Sequence, residues 1–486
     1  MSSILDLEPK GIWKNFYSLT QIPRPSKKEE KIIAFTKEFG EKLGLETVVD
    51  AIGNVIIRKP ATPGYEDRQG IILQAHLDMV PQKNTGTDHD FEKDPIQTYV
   101  EDGWVKAKGT TLGSDNGIGV AAAMTVLEDN SLEHGPIEAL FTIDEETGMT
   151  GANELKPGFL FGDILLNLDS EDEGELYVGC AGGVDTTGNF TATLEAVDSN
   201  AAAYKISLTG LKGGHSGLDI NLGRGNANKI MNALMTLAAD KYGMRLAAIE
   251  GGSLRNAIPR ESFATVVVPS EKKTAFEKYV QEFAAIAKEE FAATDGGVEI
   301  TAAVCPLPEQ VIDLKTQAGL FEAISNCPNG VIAMSADMEG VVETSNNLAI
   351  IKLKGNNIIM AALQRSSVDD SKAVLAEQIR TVFTSAGAEA YSHGDYPGWK
   401  PNVHSPILTT MKEVYNKTFG KIPEVKVIHA GLECGILGAA YPHWDMISFG
   451  PTIRHPHSPD EKVNVDTVKL FWEFLVETLK HVPVKA

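Results

Sequence analysis

Residues 70–80 read GIILQAHLDMV, and residues 137–152 read IEALFTIDEETGMTGA. Each opens with a short apolar run that has few polar positions and then breaks at a turn rich in acidic residues or histidine. Runs of this length and composition predict strands covered on both faces. ILLNL at 164–168 predicts another buried strand, and WDMISFGP at 444–451 a further one. Between these lie helical patterns. Residues 27–43 place Ile32, Phe35, Phe39 and Leu43 at helical spacing, and residues 117–128 (GIGVAAAMTVLE) form a small-residue helix. VVDAIGNVIIRK reads as a hairpin around Gly53. Buried strands alternating with helices predict an α/β fold, a sheet flanked by helices.

The pattern changes near residue 187. Residues 192–211 (ATLEAVDSNAAAYKISLTGL) alternate as strands with one buried face, and 225–241 and 271–292 read as helices. VEITAAVCP, AIIKLKG and NIIMAALQRS add strands. From about residue 392 the α/β pattern of the first region returns, with helices at MKEVYNKTFG and VDTVKLFWEFLVETLKHV. The expected organisation is one α/β domain built from 1–186 and 392–486, interrupted by an α+β domain at 187–391. Insertions of this kind are tolerated where chain ends meet at a surface.

Composition excludes several classes. The chain has 486 residues, enough for two or three domains, and 43% hydrophobic content supports real cores. A formal charge of -22 opposes binding to nucleic acid. No stretch approaches the roughly 18 apolar residues of a membrane span. MSSILDLEPKGIW carries no signal-peptide pattern. Cys180, Cys305, Cys327 and Cys434 are scattered without CxxC spacing. They are expected to be reduced thiols in a cytoplasmic protein.

Five clusters could carry chemistry, and each has a plainer reading. In GIILQAHLDMV, His76 and Asp78 share a strand face, so one could bind a metal while the other orients it; a locally satisfied histidine explains them as well. In KGTTLGSDNGIGV, Asp115 lies among glycines before a helix, which also describes an N-cap. Asp144, Glu145 and Glu146 repel one another unless solvent or a cation relieves them. Asp169 follows a buried strand but precedes an acidic surface-like loop. His455 and His457 occupy a Gly/Pro loop after the last strand, and either is a candidate. Jointly, the clusters put His, Asp, Glu, Asp and His at or beyond strand ends, where α/β sheets place ligands. This nitrogen and oxygen set suits zinc, manganese or cobalt. With one bridging carboxylate it suffices for two ions.

At these residues the sequence resembles the M20 metallopeptidase family. LQAHLDMV, GSDNG, DEETG, NLDSE and GPTIRHPHSPDE match its motifs in order, and LKGGHSG and GGSLRNAIPRE resemble its lid or dimerisation domain. DSEDEGELYVGCAGG and SFGPTIRHPHSPDEKVN are most similar to its aminoacyl-histidine dipeptidase branch. The resemblance implies a zinc-exopeptidase-like mixed sheet and a dinuclear metallo-dipeptidase favouring Xaa-His substrates. It implies two divalent metal ions, most simply zinc, held by His76, Asp115 (bridging), Glu146, Asp169 and His457. HSPDE sets the motif phase that selects His457 over His455. Asp78 would orient His76, Glu145 would be the general base, and a cis peptide would follow Asp115. His215, Asn256, Arg255 and Glu433 would contact substrate. The partners implied are a small peptide and a second copy of the chain, without nucleic acid or membrane. An aminotripeptidase, an N-acyl amino acid deacylase or a non-catalytic metal-binding protein are the alternatives.

Overall fold

The Ile71–His76 and Ile137–Thr142 runs are strands buried at every position. They lie at the middle of an eight-stranded sheet in this computed structural model, which describes residues 3–485. From edge to edge the sheet runs Glu46–Val49, Val55–Lys59, Ile137–Thr142, Ile71–His76, Ile164–Asn167, Asp445–Ser448, Glu175–Cys180 and Glu424–Ile428. The Gly53 hairpin forms the antiparallel edge. The four central strands are parallel, in register Ile71↔Ile137, Ile71↔Ile164 and Asp445↔Ile164. Parallel pairing brings their carboxyl ends to one edge. The turns that follow His76, Thr142, Asn167 and Ser448 therefore meet there.

The sheet belongs to one of two compact units, which takes residues up to Gly179, Pro401–Val427 and the chain from Leu432. Its helix Ser114–Glu128 is buried along nearly its whole length and packs on Ile71–His76. Helix Lys10–Thr20 packs on Ser114–Glu128 in turn. The contact is close at Gly11, where an added Cβ would meet Thr125 Cγ2 at 2.4 Å. The last helix, Val465–His481, is capped by Asn464, whose side chain accepts the Thr467 N–H. It buries Phe471, Phe474 and Leu475, each contributing about 1.5–3 kcal/mol by leaving water. Asp115 and Asn116 have non-helical backbone, so continuous helical geometry starts at Gly117, as the 117–128 pattern predicts.

The other unit takes Cys180–Lys400 and Ile428–Gly431. Its nine-stranded sheet is antiparallel at each pairing described. Tyr204, Ile206 and Leu208 alternate along one strand into a core with Met231, Phe276, Leu320 and Phe383 from the helices. Strand Gly182–Thr191 pairs with both Asn357–Ser366 and Glu389–Tyr396. That pairing carries the unit out to Cys180 and Lys400, wider than the 187–391 span suggested by the sequence pattern. Among the described residues, no helix is long and apolar enough to cross a membrane.

Candidate metal centre

His76 ends its strand with carboxylates on both ring nitrogens. Its Nε2 lies 3.2 Å from Asp115 Oδ1 and 3.4 Å from Asp169 Oδ1. Its Nδ1 lies 3.2 Å from the Asp78 carbonyl oxygen and 3.4 Å from Asp78 Oδ1. The other Asp115 oxygen, Oδ2, is 3.2 Å from His457 Nε2, which is also 2.9 Å from Glu146 Oε2. Asp115 thus presents one oxygen to His76, which also faces Asp169, and the other to His457, which also faces Glu146. Within each of these groups of three, one potential ligand atom per residue lies within 4.8 Å of the others. Glu145 forms a further such group with His76 and Glu146. His455 and His457 are both exposed, but His457 also reaches the carboxylates of Asp115 and Glu146.

Local structure explains this convergence. The Asp115–Asn116 peptide is cis, and Gly113 before it has φ +72°, so the chain turns sharply into the helix. Asp144 adopts left-handed backbone and its carboxylate is held by the Thr147 and Thr150 hydroxyls. That occupies the first of the three consecutive carboxylates. The next two residues are fixed by Asp78, whose oxygens accept the Glu145 N–H at 3.0 Å and the Glu146 N–H at 3.3 Å. Ser26 Oγ donates to the same carboxylate at 2.8 Å. Asp78 therefore steadies His76 and the Glu-Glu turn together.

The centre is short of positive charge. Burial pushes the Glu145 carboxyl well above its usual range, against the attraction of His76. Burial likewise raises Asp169 to about 6 and Glu171 to about 8, with Asp115 adding to both. Burial also acts to raise Asp115, but hydrogen bonds from His457 and His76 outweigh it and hold that carboxyl low. Hydrogen bonds to Asp115 and Glu146 push His457 up to about 11. Glu146 Oε1 is buried and accepts no hydrogen bond. A bound divalent cation would relieve each of these conditions. The donors are imidazole and carboxylate without thiolate, a set that zinc, manganese and cobalt accept. The residues fit a metal pair.

Of the other expected site residues, Glu433 lies in the same unit beneath His76, and three lie in the second unit. Glu433 is buried against the first sheet, accepting Gln74 Nε2 at 2.6 Å and Thr142 Oγ1 at 2.9 Å. Burial pushes it to about 7, against the attraction of His76. His215, Arg255 and Asn256 belong to the second unit. His215 Nδ1 accepts the Gly217 and Leu218 N–H groups, each at 3.1 Å, which assigns the proton to Nε2. Arg255 donates to Thr187 Oγ1 at 2.8 Å, and the exposed Asn256 gives its carbonyl to Ser216 N–H. Sequence reasoning missed Arg365 in the same unit. It is buried, and its guanidinium donates to two hydroxyls, Ser216 Oγ at 3.3 Å and Tyr396 Oη at 3.0 Å. It also missed Arg24 and Glu461, both buried beside the metal-centre turns. The only signal for Glu461 was its place four residues after His457 in HSPDE.

Residues 72–481 match Peptidase family M20/M25/M40. The chain belongs to that family. It is a peptide hydrolase of a family that works with divalent metal ions, and the turns of the candidate centre lie within the matched span. Over 485 residues the peptidase is 44% identical to the cytosol non-specific dipeptidase of Escherichia coli K12, covering 100% of both chains. Its structure is similar to that of aminoacylhistidine dipeptidase from Vibrio alginolyticus, with 46% identity and a TM-score of 0.95 over 100% of this chain and 99% of that one. An aminopeptidase PepT from Bacillus cereus shares the fold, at 16% identity and a TM-score of 0.57 over 98% and 99% of the chains.

Proposed function

We propose that this protein is a cytoplasmic dinuclear metallo-dipeptidase that cleaves the single peptide bond of dipeptides and favours a C-terminal histidine. The observation that carries the reading is Asp115, shared between two histidine–carboxylate groups. His76, Asp115 and Asp169 would hold one ion, and Asp115, Glu146 and His457 the other. Zinc is the assigned metal, with manganese or cobalt compatible with the same donors. When bound, such a pair acidifies water and polarises a carbonyl.

The chain's own residues do the rest. Glu145 takes the proton of the attacking water and returns it to the leaving amine nitrogen as the C–N bond breaks. Its buried carboxyl, held above the usual range, is suited to carrying a proton both ways. His215, with its proton on Nε2, donates to the developing oxyanion. Arg365, whose guanidinium donates to two neutral hydroxyls, is assigned to the substrate carboxylate. Arg255, Asn256 and Glu433 are assigned lesser contacts. The name of the Escherichia coli relative, a cytosol non-specific dipeptidase, supports a cytosolic dipeptidase, and the name of the Vibrio alginolyticus relative alone supports the histidine preference. A homodimer through the inserted unit completes the proposal.

The test is hydrolysis of β-Ala-His, Leu-His, Leu-Gly and Leu-Gly-Gly by purified protein, with chelator and with added zinc. Metal-dependent cleavage of dipeptides that spares Leu-Gly-Gly, fastest with C-terminal histidine, is expected. Cleavage of the tripeptide alone would make the protein a tripeptidase. Metal binding without cleavage of any of the four would favour deacylation or binding alone.

A further inference from the structure

Glu461 is buried to 2% exposure, four residues beyond His457. Its carboxylate does not face the ligand atoms. It faces the turn before Asp115, and each oxygen is saturated there. Oε2 accepts the Leu112 N–H at 2.7 Å and the Gly113 N–H at 3.0 Å. Oε1 accepts the Ser114 N–H at 2.7 Å, the Ser114 hydroxyl at 2.6 Å and the Asp115 N–H at 3.3 Å. Its own N–H closes a turn onto the Ser458 carbonyl at 3.0 Å, so the carboxylate is rigidly tied to the loop that carries His457.

Across the same turn, Arg24 donates to the Gly113 carbonyl at 2.5 Å and to the Leu77 and Asp78 carbonyls at 2.9 and 3.0 Å. Gly113 is thus held through both of its flanking peptides, by Arg24 at its carbonyl oxygen and Glu461 at its N–H. No side chain fits there: a Cβ on Gly113 would meet Arg24 Nη2 at 2.6 Å and Met79 Sδ at 2.8 Å.

We propose that Glu461 is a positioning residue that fixes the spacing of Asp115 and His457, and so sets the affinity and geometry of the metal pair without touching it. This rests on the metal reading of the centre. Hydrogen bonds to ligand-bearing elements fix ligand orientation, and losing them typically costs roughly 10–100-fold in metal affinity. Glutamine at 461 would keep the shape but turn an amide N–H₂ toward backbone donors, so the turn loses acceptors and charge together.

The experiment strips the full-length protein with chelator and titrates it with cobalt(II), following the visible absorption of the bound ion. Glu461→Gln is compared with Glu138→Gln as a control. Glu138 is a buried carboxylate that accepts the Phe161 and Gly162 N–H groups at 2.7 and 2.8 Å, at the opposite end of its strand from the centre. Both variants are expected to lose thermal stability. Only Glu461→Gln is expected to weaken cobalt binding, by roughly 10-fold or more, and to shift the absorption bands. Ser114→Ala, a milder lesion that removes one donor, is expected to weaken binding by less and serves if Glu461→Gln does not fold. Unchanged cobalt affinity and spectrum in both Glu461→Gln and Ser114→Ala would overturn the proposal. So would equal weakening in Glu138→Gln. Wild-type protein that binds no cobalt would overturn the metal reading as well, which separates the two failures.

Discussion

His457 Nε2 stands 3.2 Å from Asp115 Oδ2, across 342 residues of sequence. His455, two residues before it, is exposed and its backbone is also left-handed, so the two histidines differ in reach and not in local conformation. His457→Ala is therefore expected to weaken metal binding far more than His455→Ala. Metal content after dialysis against a fixed zinc buffer checks this. The reverse order would move the last ligand by two residues.

Glu145 is the carboxylate of the centre assigned to protons and not to metal. Glu145→Ala is expected to keep the full metal content and to lose turnover by roughly 10²–10⁴-fold, the usual share of a general base. If metal were lost along with activity, Glu145 would be a ligand instead.

Arg365 donates to two neutral hydroxyls from a buried position. Removing a charged hydrogen-bond partner of the substrate carboxylate costs about 1.5–3 kcal/mol, roughly 10–150-fold. Arg365→Met is expected to raise KM for Leu-His by that factor with a smaller change in kcat. The factor should collapse for Leu-His amide, which lacks the carboxylate. An equal loss on both substrates would remove Arg365 from substrate binding.

His429 gives the second unit a pH-dependent stability. Burial first, then the nearby Arg365 charge, push its imidazole down to about 4. The unfolded chain protonates near the ordinary value of about 6.5, so between the two values the unfolded state binds more protons. Stability contributed by the neutral ring is present above about 6.5 and is lost as pH falls toward 4, on the order of 3 kcal/mol. Urea midpoints measured from pH 7 to pH 4.5 should fall less steeply in His429→Gln than in wild type. Parallel slopes would refute the assignment.

Part of the candidate centre is legible in the sequence because three of its residues follow an apolar run. His76, Glu146 and Asp169 lie at or just past the ends of strands whose burial writes itself into sequence as a lack of polar residues. Arg24 and Glu461 are not legible there, because their partners are backbone groups. Carbonyls at Leu77, Asp78 and Gly113, or N–H groups at 112–115, leave no mark on residue type. Arg365 is hidden within the strand Asn357–Ser366, whose apolar pattern masks its one buried cation. The limits at Cys180 and Lys400 escape for a related reason. Strand Glu389–Tyr396 is mostly exposed, so it lacks the apolar alternation that marks a strand, and only its pairing assigns it.

The strand Asp445–Ser448 lies between Ile164–Asn167 and Glu175–Cys180, so the first sheet is complete only when residue 448 has arrived. Synthesis proceeds from the amino end, at about 5–20 residues per second. Through most of translation the nascent chain therefore carries His76, Asp115, Glu146 and Asp169 without the strand that separates two of its neighbours or the histidine that answers Asp115. A chain released before residue 445 would carry Asp115, Glu146 and Asp169 without the strand between Ile164–Asn167 and Glu175–Cys180 and without His457, the partner of Asp115 Oδ2.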